Sequence, residues 1–212
     1  MARKRAAAFA GALVAAGVAV GIAAAVQTGR LAHFDQYSVY HLMPWLEPTH
    51  HTSRWHFAVP EKRVSRWGTL VALVTYPASI LVSALIVLAC AAVLWSRGRR
   101  RSAAEVCVLM VWANVIAYLG KATITRETLH AGFRKHGLTH GFDHSVPSGH
   151  AIRAVVVAFG LAQLGRAGRV AWLWALAVPV ALVAIGDHTP SDVVCGFAVG
   201  VALVLARRVL RR

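Results

Sequence analysis

Six apolar runs follow one another along the chain, at residues 6–28, 68–95, 104–122, 149–165, 169–187 and 192–207. A bilayer core takes about 20 apolar residues per helix, with about 17 to 25 tolerated, so each run reads as a transmembrane helix. The fourth and sixth reach that length only when the polar residues at their heads are counted, which places those groups at or just below a membrane interface. Between the fifth and sixth stands only "DHTPSD", where Thr189 can cap a new helix and Pro190 can occupy its first turn. The pattern predicts an all-α, polytopic membrane protein with six transmembrane helices. It forms a single membrane-embedded domain over 1–212, with a first span at 6–28, an outer interfacial loop at 29–67 and core spans over 68–207.

Composition agrees with that class: 58% of residues are hydrophobic and 15% charged, too apolar for an ordinary soluble core. The formal charge of +15 raises nucleic acid as a partner, but the distribution argues against it. Basic residues gather in short runs between apolar segments, and 13 of the 23 lie in four places: the two termini and the loops at 96–103 and 165–169. Six spans put all four on one side, and the excess of Arg and Lys makes that side the cytoplasm. Both termini are then cytoplasmic. The 11 histidines fall in or at the edge of the opposite segments, so the chemistry is expected at the extracytoplasmic face.

The N-terminus, "ARKR" followed by a long Ala- and Val-rich run, resembles a secretory signal. The run exceeds 20 residues and the topology needs it, so it reads as an uncleaved span. Cys90, Cys107 and Cys195 all lie inside apolar runs and show neither a disulfide framework nor zinc spacing. The outer loop at 29–67 mixes Tyr, Trp and Phe with His and basic residues, as amphipathic segments lying in the interface do.

Three outer segments carry ionisable residues beside helix ends: "GKATITRE" at 120–127, "SVPSGHAIR" at 145–153 and "GDHTPSDVVCG" at 186–196. Charge so near a membrane core is costly and marks function. Ser148 can cap the fourth helix, leaving the following N–H groups, Gly149 among them, at the positive end of the helix dipole, where an oxyanion binds well. Lys121 and Arg126 add cations. Five helical residues would set them about 140° apart, so both reach one ligand only if the helix ends or bends before Arg126. Arg153, three residues after His150, shares its helix face. His188 and Asp192 stand four apart, a spacing at which a carboxylate can hold one imidazole nitrogen and leave the other free as a nucleophile. A capping box with Thr189 accounts for Asp192 as well.

"PSGH" followed about 40 residues later by "GDHTPSDVVCG", after "GKATITRE" and within six spans, resembles the type 2 phosphatidic acid phosphatase superfamily over roughly residues 67–207. The resemblance implies His188 as the nucleophile that takes the phosphoryl group, Asp192 as its orienting partner and His150 as the acid that protonates the leaving group. It also implies phosphate binding by Ser148 and Gly149, charge balance from Lys121, and no metal or cofactor. Arg126 matches an additional Arg found in many members. Two family positions depart: Thr128 and Leu129 stand where Arg-Pro is usual, and Ala181 and Leu182 stand where Ser-Arg opens the third motif. A doubly charged phosphoryl group in a partly desolvated site needs more than one cation, so Arg153 or Arg134 is expected to replace the missing guanidinium.

The expected substrate is a lipid phosphate at the outer membrane surface, with its chain in the bilayer, and a polyprenyl diphosphate carrier comes first. Three alternatives stand beside it. A phosphotransferase would use the same phosphohistidine. A lipid-phosphate binder or transporter would keep the fold without turnover. Zinc could bind His130, His136, His140, Asp143 and His144, although Gly137 and Gly141 disfavour the helix that would align them. Asn114 reads as an interhelical hydrogen-bonder, and Glu105 as facing headgroups or Arg99–Arg101.

Overall fold

The computed structural model describes residues 2–43, 66–126, 129–130, 138–139 and 144–210. Arg134, Thr128 and, in the histidine-rich loop, residues 131–137 and 140–143 lie outside them. Eight helices are described: α1 (Ala2–Gln27), α2 (Ala32–His41), α3 (Arg66–Thr75), α4 (Ile80–Ser96), α5 (Arg100–Thr123), α6 (Gly149–Ala162), α7 (Ala171–Ala184) and α8 (Pro190–Leu210). A two-residue antiparallel pair, β1 (Leu129–His130) with β2 (Leu138–Thr139), is the one departure from an all-helical chain among the described residues.

All six apolar runs fall on helix, but not as six uniform spans. Among the described residues α1, α5 and α8 are each long and apolar enough to cross a membrane alone. The second run is broken: Leu70–Ala78 and Ile80–Ser96 meet at 56°, and together would make a fourth crossing. Pro77 at the break has no N–H to donate to a continuing helix, and the chain passes through a short 3₁₀ turn there. α6 and α7 have 14 residues each. They are shorter than the predicted 149–165 and 169–187 because the chain turns at Gln163–Leu164 and again through a 3₁₀ turn at Ala167–Val170. The outer loop also differs from its expectation, for it holds α2, with Asp35, Ser38 and Val39 buried.

α6 is the axis of the bundle. Every residue from Ala151 to Gly160 is buried, as expected of a helix apolar on all sides. Its Ile152, Val155, Val156 and Phe159 pack with Val87 and Leu94 of α4, Val106 and Met110 of α5 and Val204 of α8. Its alanines face Ala175, Val178 and Leu182 of α7. α8 approaches closely because Gly196 and Gly200, four residues apart, leave no side chain between the helices. A Cβ at Gly196 would strike the carbonyl of Ser148, and one at Gly200 would lie 2.8 Å from Val155 Cβ. α1 runs antiparallel along α8, with Gly11 against Leu205 near one end and Ala19 O accepting from Cys195 Sγ at 3.4 Å nearer the other. Large apolar side chains left exposed, such as Val20, Leu81 and Val180, lie on helices of this apolar bundle.

The two ends of the bundle differ in chemistry. At one end Arg97 and Arg99 donate to the carbonyls of Leu164 and Gln163 at 3.0 and 2.5 Å, and Arg207 pairs with Glu105 at 2.7 Å. Glu105 thus meets Arg207 as well as Arg101. At the other end gather Gln27, Asp35, Arg126, Ser148, His188 and Asp192.

Candidate active site

Local structure places His188 in a defined way. α7 closes with Gly186 in the left-handed region at φ 74°, Asp187 N donating to Leu182 O at 3.0 Å and Gly186 N to Val183 O at 3.0 Å. These two bonds are the Schellman termination, in which glycine accepts a backbone that a Cβ would resist. The turn delivers His188 to the start of α8. There Thr189 and Asp192 cap one another: Thr189 N donates to Asp192 Oδ2 at 2.9 Å and Asp192 N to Thr189 Oγ1 at 3.4 Å. The same Oδ2 faces His188 Nδ1 at 3.4 Å. Asp192 therefore caps the helix and faces the imidazole at once, and both residues are buried, at 0% and 6% exposure.

The first turn of α6 lies alongside. Ser148 caps it, its Oγ accepting from Ala151 N at 3.4 Å, and Ser148 N donates to Asp192 O at 3.0 Å. The two helix N-termini are thereby joined. His150 follows, its ring centroid 6.4 Å from that of His188 and inclined at 64° to it. Gly149 brings its backbone against a guanidinium: a Cβ there would lie 2.8 Å from Arg153 Nη1 and 3.4 Å from Ala117 Cβ. Arg153 is 5% exposed, with Nε donating to Ala78 O at 2.7 Å and Nη1 to Asn114 Oδ1 at 3.3 Å. Arg153, His188 and Lys121 all lie within electrostatic reach of His150.

α5 ends at Thr123 and Ile124 is extended, so the condition for Lys121 and Arg126 to serve one region is met. Lys121 is exposed in the last turn. Gln27 at the end of α1 grips the following strand of chain from both sides, Nε2 donating to Thr125 Oγ1 at 3.1 Å and Oε1 accepting from Thr125 N at 2.8 Å. Arg126 then turns inward onto α8. Its Nη1 donates to Thr189 Oγ1 at 3.0 Å, and its Nη2 to Ser191 Oγ at 3.0 Å and Asp192 Oδ1 at 2.6 Å. Its second ion pair is with Asp35 Oδ2 of α2 at 3.3 Å.

The sequence-expected residues His188, Asp192, His150, Ser148, Gly149 and Arg153 thus converge at one end of the bundle, with Lys121 at its rim. Arg126 reaches the same cluster, but its terminal nitrogens are taken by protein oxygens. Asp35 and Ser191 belong to the cluster without having been singled out, Asn114 makes the interhelical hydrogen bond expected of it, to Arg153, and Ser145 also bonds the Asp192 carboxylate. One signal was available: Asp35 is one of only 8 acidic residues in a chain of charge +15, and the only one between 29 and 43. Leu182, where the family carries Arg, is fully buried among apolar neighbours.

A family model, that of the PAP2 superfamily, matches residues 103–211. The chain belongs to the PAP2 superfamily. No curated protein matches it in sequence. Its fold is similar to a crystal structure described as the first transmembrane PAP2 type phosphatidylglycerolphosphate phosphatase from Bacillus subtilis, with a TM-score of 0.61, 20% identity, and 96% of this chain and 94% of that one covered. With its apolar helices, the chain is a multi-pass membrane protein.

Proposed function

We propose that the chain is a metal-independent lipid phosphatase that works at the outer membrane surface through a phosphohistidine intermediate. The observation that carries this reading is the pair of imidazoles, 6.4 Å apart between centroids, beside the capped N-terminus of α6. The two rings lie close enough together for one phosphoryl group to come within reach of both, one to attack it and the other to protonate its leaving oxygen.

The free nitrogen of His188 attacks phosphorus while Asp192 holds the other and stabilises the charge that develops on the ring. The bond from phosphorus to the leaving oxygen breaks, and His150 gives that oxygen its proton. Water then attacks the phosphohistidine, His150 takes the water's proton, and inorganic phosphate leaves. Ser148 and the amide of Gly149 bind the phosphoryl oxygens at the positive end of the helix. Arg153 takes the place of the guanidinium absent at Leu182, since it lies against the backbone of Gly149, and Lys121 adds charge at the rim. Arg126, with its donors on Thr189, Ser191 and Asp192, holds the aspartate.

With six spans, the charge asymmetry puts both termini and the loops at 96–103 and 165–169 in the cytoplasm. The substrate is then a phosphate at the extracytoplasmic surface, and a polyprenyl diphosphate is our first assignment. Phosphate release measured over polyprenyl diphosphate, phosphatidic acid, phosphatidylglycerol phosphate and a polyprenyl-linked sugar phosphate, beside His188→Ala, tests it. Release by the wild type alone is expected. Transfer of the phosphoryl group to an acceptor without release would indicate a phosphotransferase, and binding without turnover a non-catalytic protein.

A further inference from the structure

We infer that Asp35 is a positioning residue for the His188–Asp192 pair, acting through Arg126. The inference rests on the functional reading above but concerns a residue outside the matched family segment, on a helix in what the sequence marks as an interfacial loop.

The connection is continuous. Asp35 Oδ2 accepts from Ser191 Oγ at 2.6 Å and faces Arg126 Nη1 at 3.3 Å, while Oδ1 faces Ser191 N at 3.4 Å. Arg126 passes the link to Asp192 Oδ1, and Asp192 Oδ2 faces His188. Asp35 is 2% exposed. An ionised carboxylate so buried costs desolvation that its partners must offset. Holding α2 in place does not need that charge: Val39 of α2 and Met43 just after it already pack with Leu129 and Val183.

Two carboxylates share one guanidinium, so the trio of Asp35, Arg126 and Asp192 carries a net negative charge. Arg126 alone would neutralise Asp192. Against His188 from α6 lies His150, with Arg153 of α6 and Lys121 of α5 in electrostatic reach of His150; none of these is negative, and Asp187 precedes His188 in the chain. Asp35 therefore supplies the surplus negative charge that stabilises the imidazole of His188 as positive charge builds on it during attack. It also fixes Arg126 from the side opposite Asp192.

The test compares Asp35→Asn, Asp35→Glu, Arg126→Gln and the double variant Asp35→Asn/Arg126→Gln with the wild type in detergent. Asp35→Asn is expected to lower kcat about tenfold with KM changed less than about twofold, and to move the acidic limb of the kcat profile to lower pH. Asp35→Glu should recover part of the loss. Because Asp35 acts through Arg126, the double variant should be no slower than Arg126→Gln. A readout independent of substrate is carbethoxylation of His188 by diethyl pyrocarbonate, followed by mass spectrometry, which should slow in Asp35→Asn. Additive losses in the double variant would overturn the inference, as would a kcat loss without movement of the acidic limb, or equal His188 modification rates in wild type and Asp35→Asn. If the wild type releases phosphate from no lipid, the functional reading fails, and the modification rates alone decide for or against the coupling.

Discussion

His150 and His188, 38 residues apart in sequence, face each other with ring centroids 6.4 Å apart at an inclination of 64°. Among the described residues, Asp192 lies against His188, whereas the charged neighbours of His150 are Arg153 and Lys121. On the function proposed above, that asymmetry fixes one ring for attack and leaves the other to move a proton.

That division predicts a dependence on the leaving group. His150→Ala should slow hydrolysis of a lipid phosphate by about 10² to 10⁴-fold. It should cost far less with a p-nitrophenyl phosphate, whose leaving oxygen needs no proton. Parallel kcat measurements on the two substrates check this; equal losses on both would remove His150 from the acid role.

Glycine 196 predicts a packing defect that reaches the site. A Cβ there would meet the backbone carbonyl of Ser148, which cannot rotate away. Gly196→Ala should cost about 1 to 3 kcal/mol of stability and lower kcat as the join between Ser148 and Asp192 opens. Gly17→Ala on α1, with nothing within 4 Å of the new methyl, should be neutral or stabilising by about 0.5 to 1 kcal/mol. Thermal melts in detergent beside activity assays distinguish the two.

Much of this arrangement was legible in the sequence because it is local. The Ser148 cap, the Thr189–Asp192 capping box and the His188–Asp192 spacing all lie within five residues of chain, where backbone geometry leaves little freedom. The apolar runs located α5, α6, α7 and α8, which carry most of the site, but not α2. The early end of α6 could not be read, because an apolar run does not record where its backbone turns, and the break at Pro77 was passed over although a proline inside the run is its signal. Nor could the destination of Arg126 or Asp35: their partners lie 63 to 156 residues away, and only the folded bundle brings them together. The loop at 29–67 was read by its aromatic residues alone, which concealed the buried carboxylate within it.

The missing third-motif arginine makes opposite predictions for two positions. Leu182→Arg would restore the family residue, yet Leu182 is fully buried against Val178, Ala151 and Ala78. The buried guanidinium should cost about 3 kcal/mol or more and rescue nothing. Arg153→Lys keeps the charge but loses the fork that reaches both Ala78 O and Asn114 Oδ1. Its kcat should fall by about 10 to 100-fold with little change in melting temperature. Full turnover by Arg153→Ala would show that the replacement lies elsewhere.

Asp35 predicts a pH dependence of stability whose sign is unusual for a carboxylate. Burial raises its pKa above the ordinary 3.8, only partly opposed by the Ser191 hydroxyl and Arg126, and Asp192 adds to the rise. A carboxyl with a raised pKa binds its proton more tightly folded than unfolded. Its contribution is therefore most favourable below the unfolded value and is lost as pH rises through the folded one. Asp35→Asn removes the titration while keeping a group that can accept from Ser191. Its melting temperature relative to wild type should therefore rise between pH 4 and neutrality, even as its activity falls. Differential scanning fluorimetry of both proteins across that range measures the difference directly. A gap that instead widens in favour of the wild type with rising pH would mean that Arg126 holds Asp35 more strongly than burial opposes its charge.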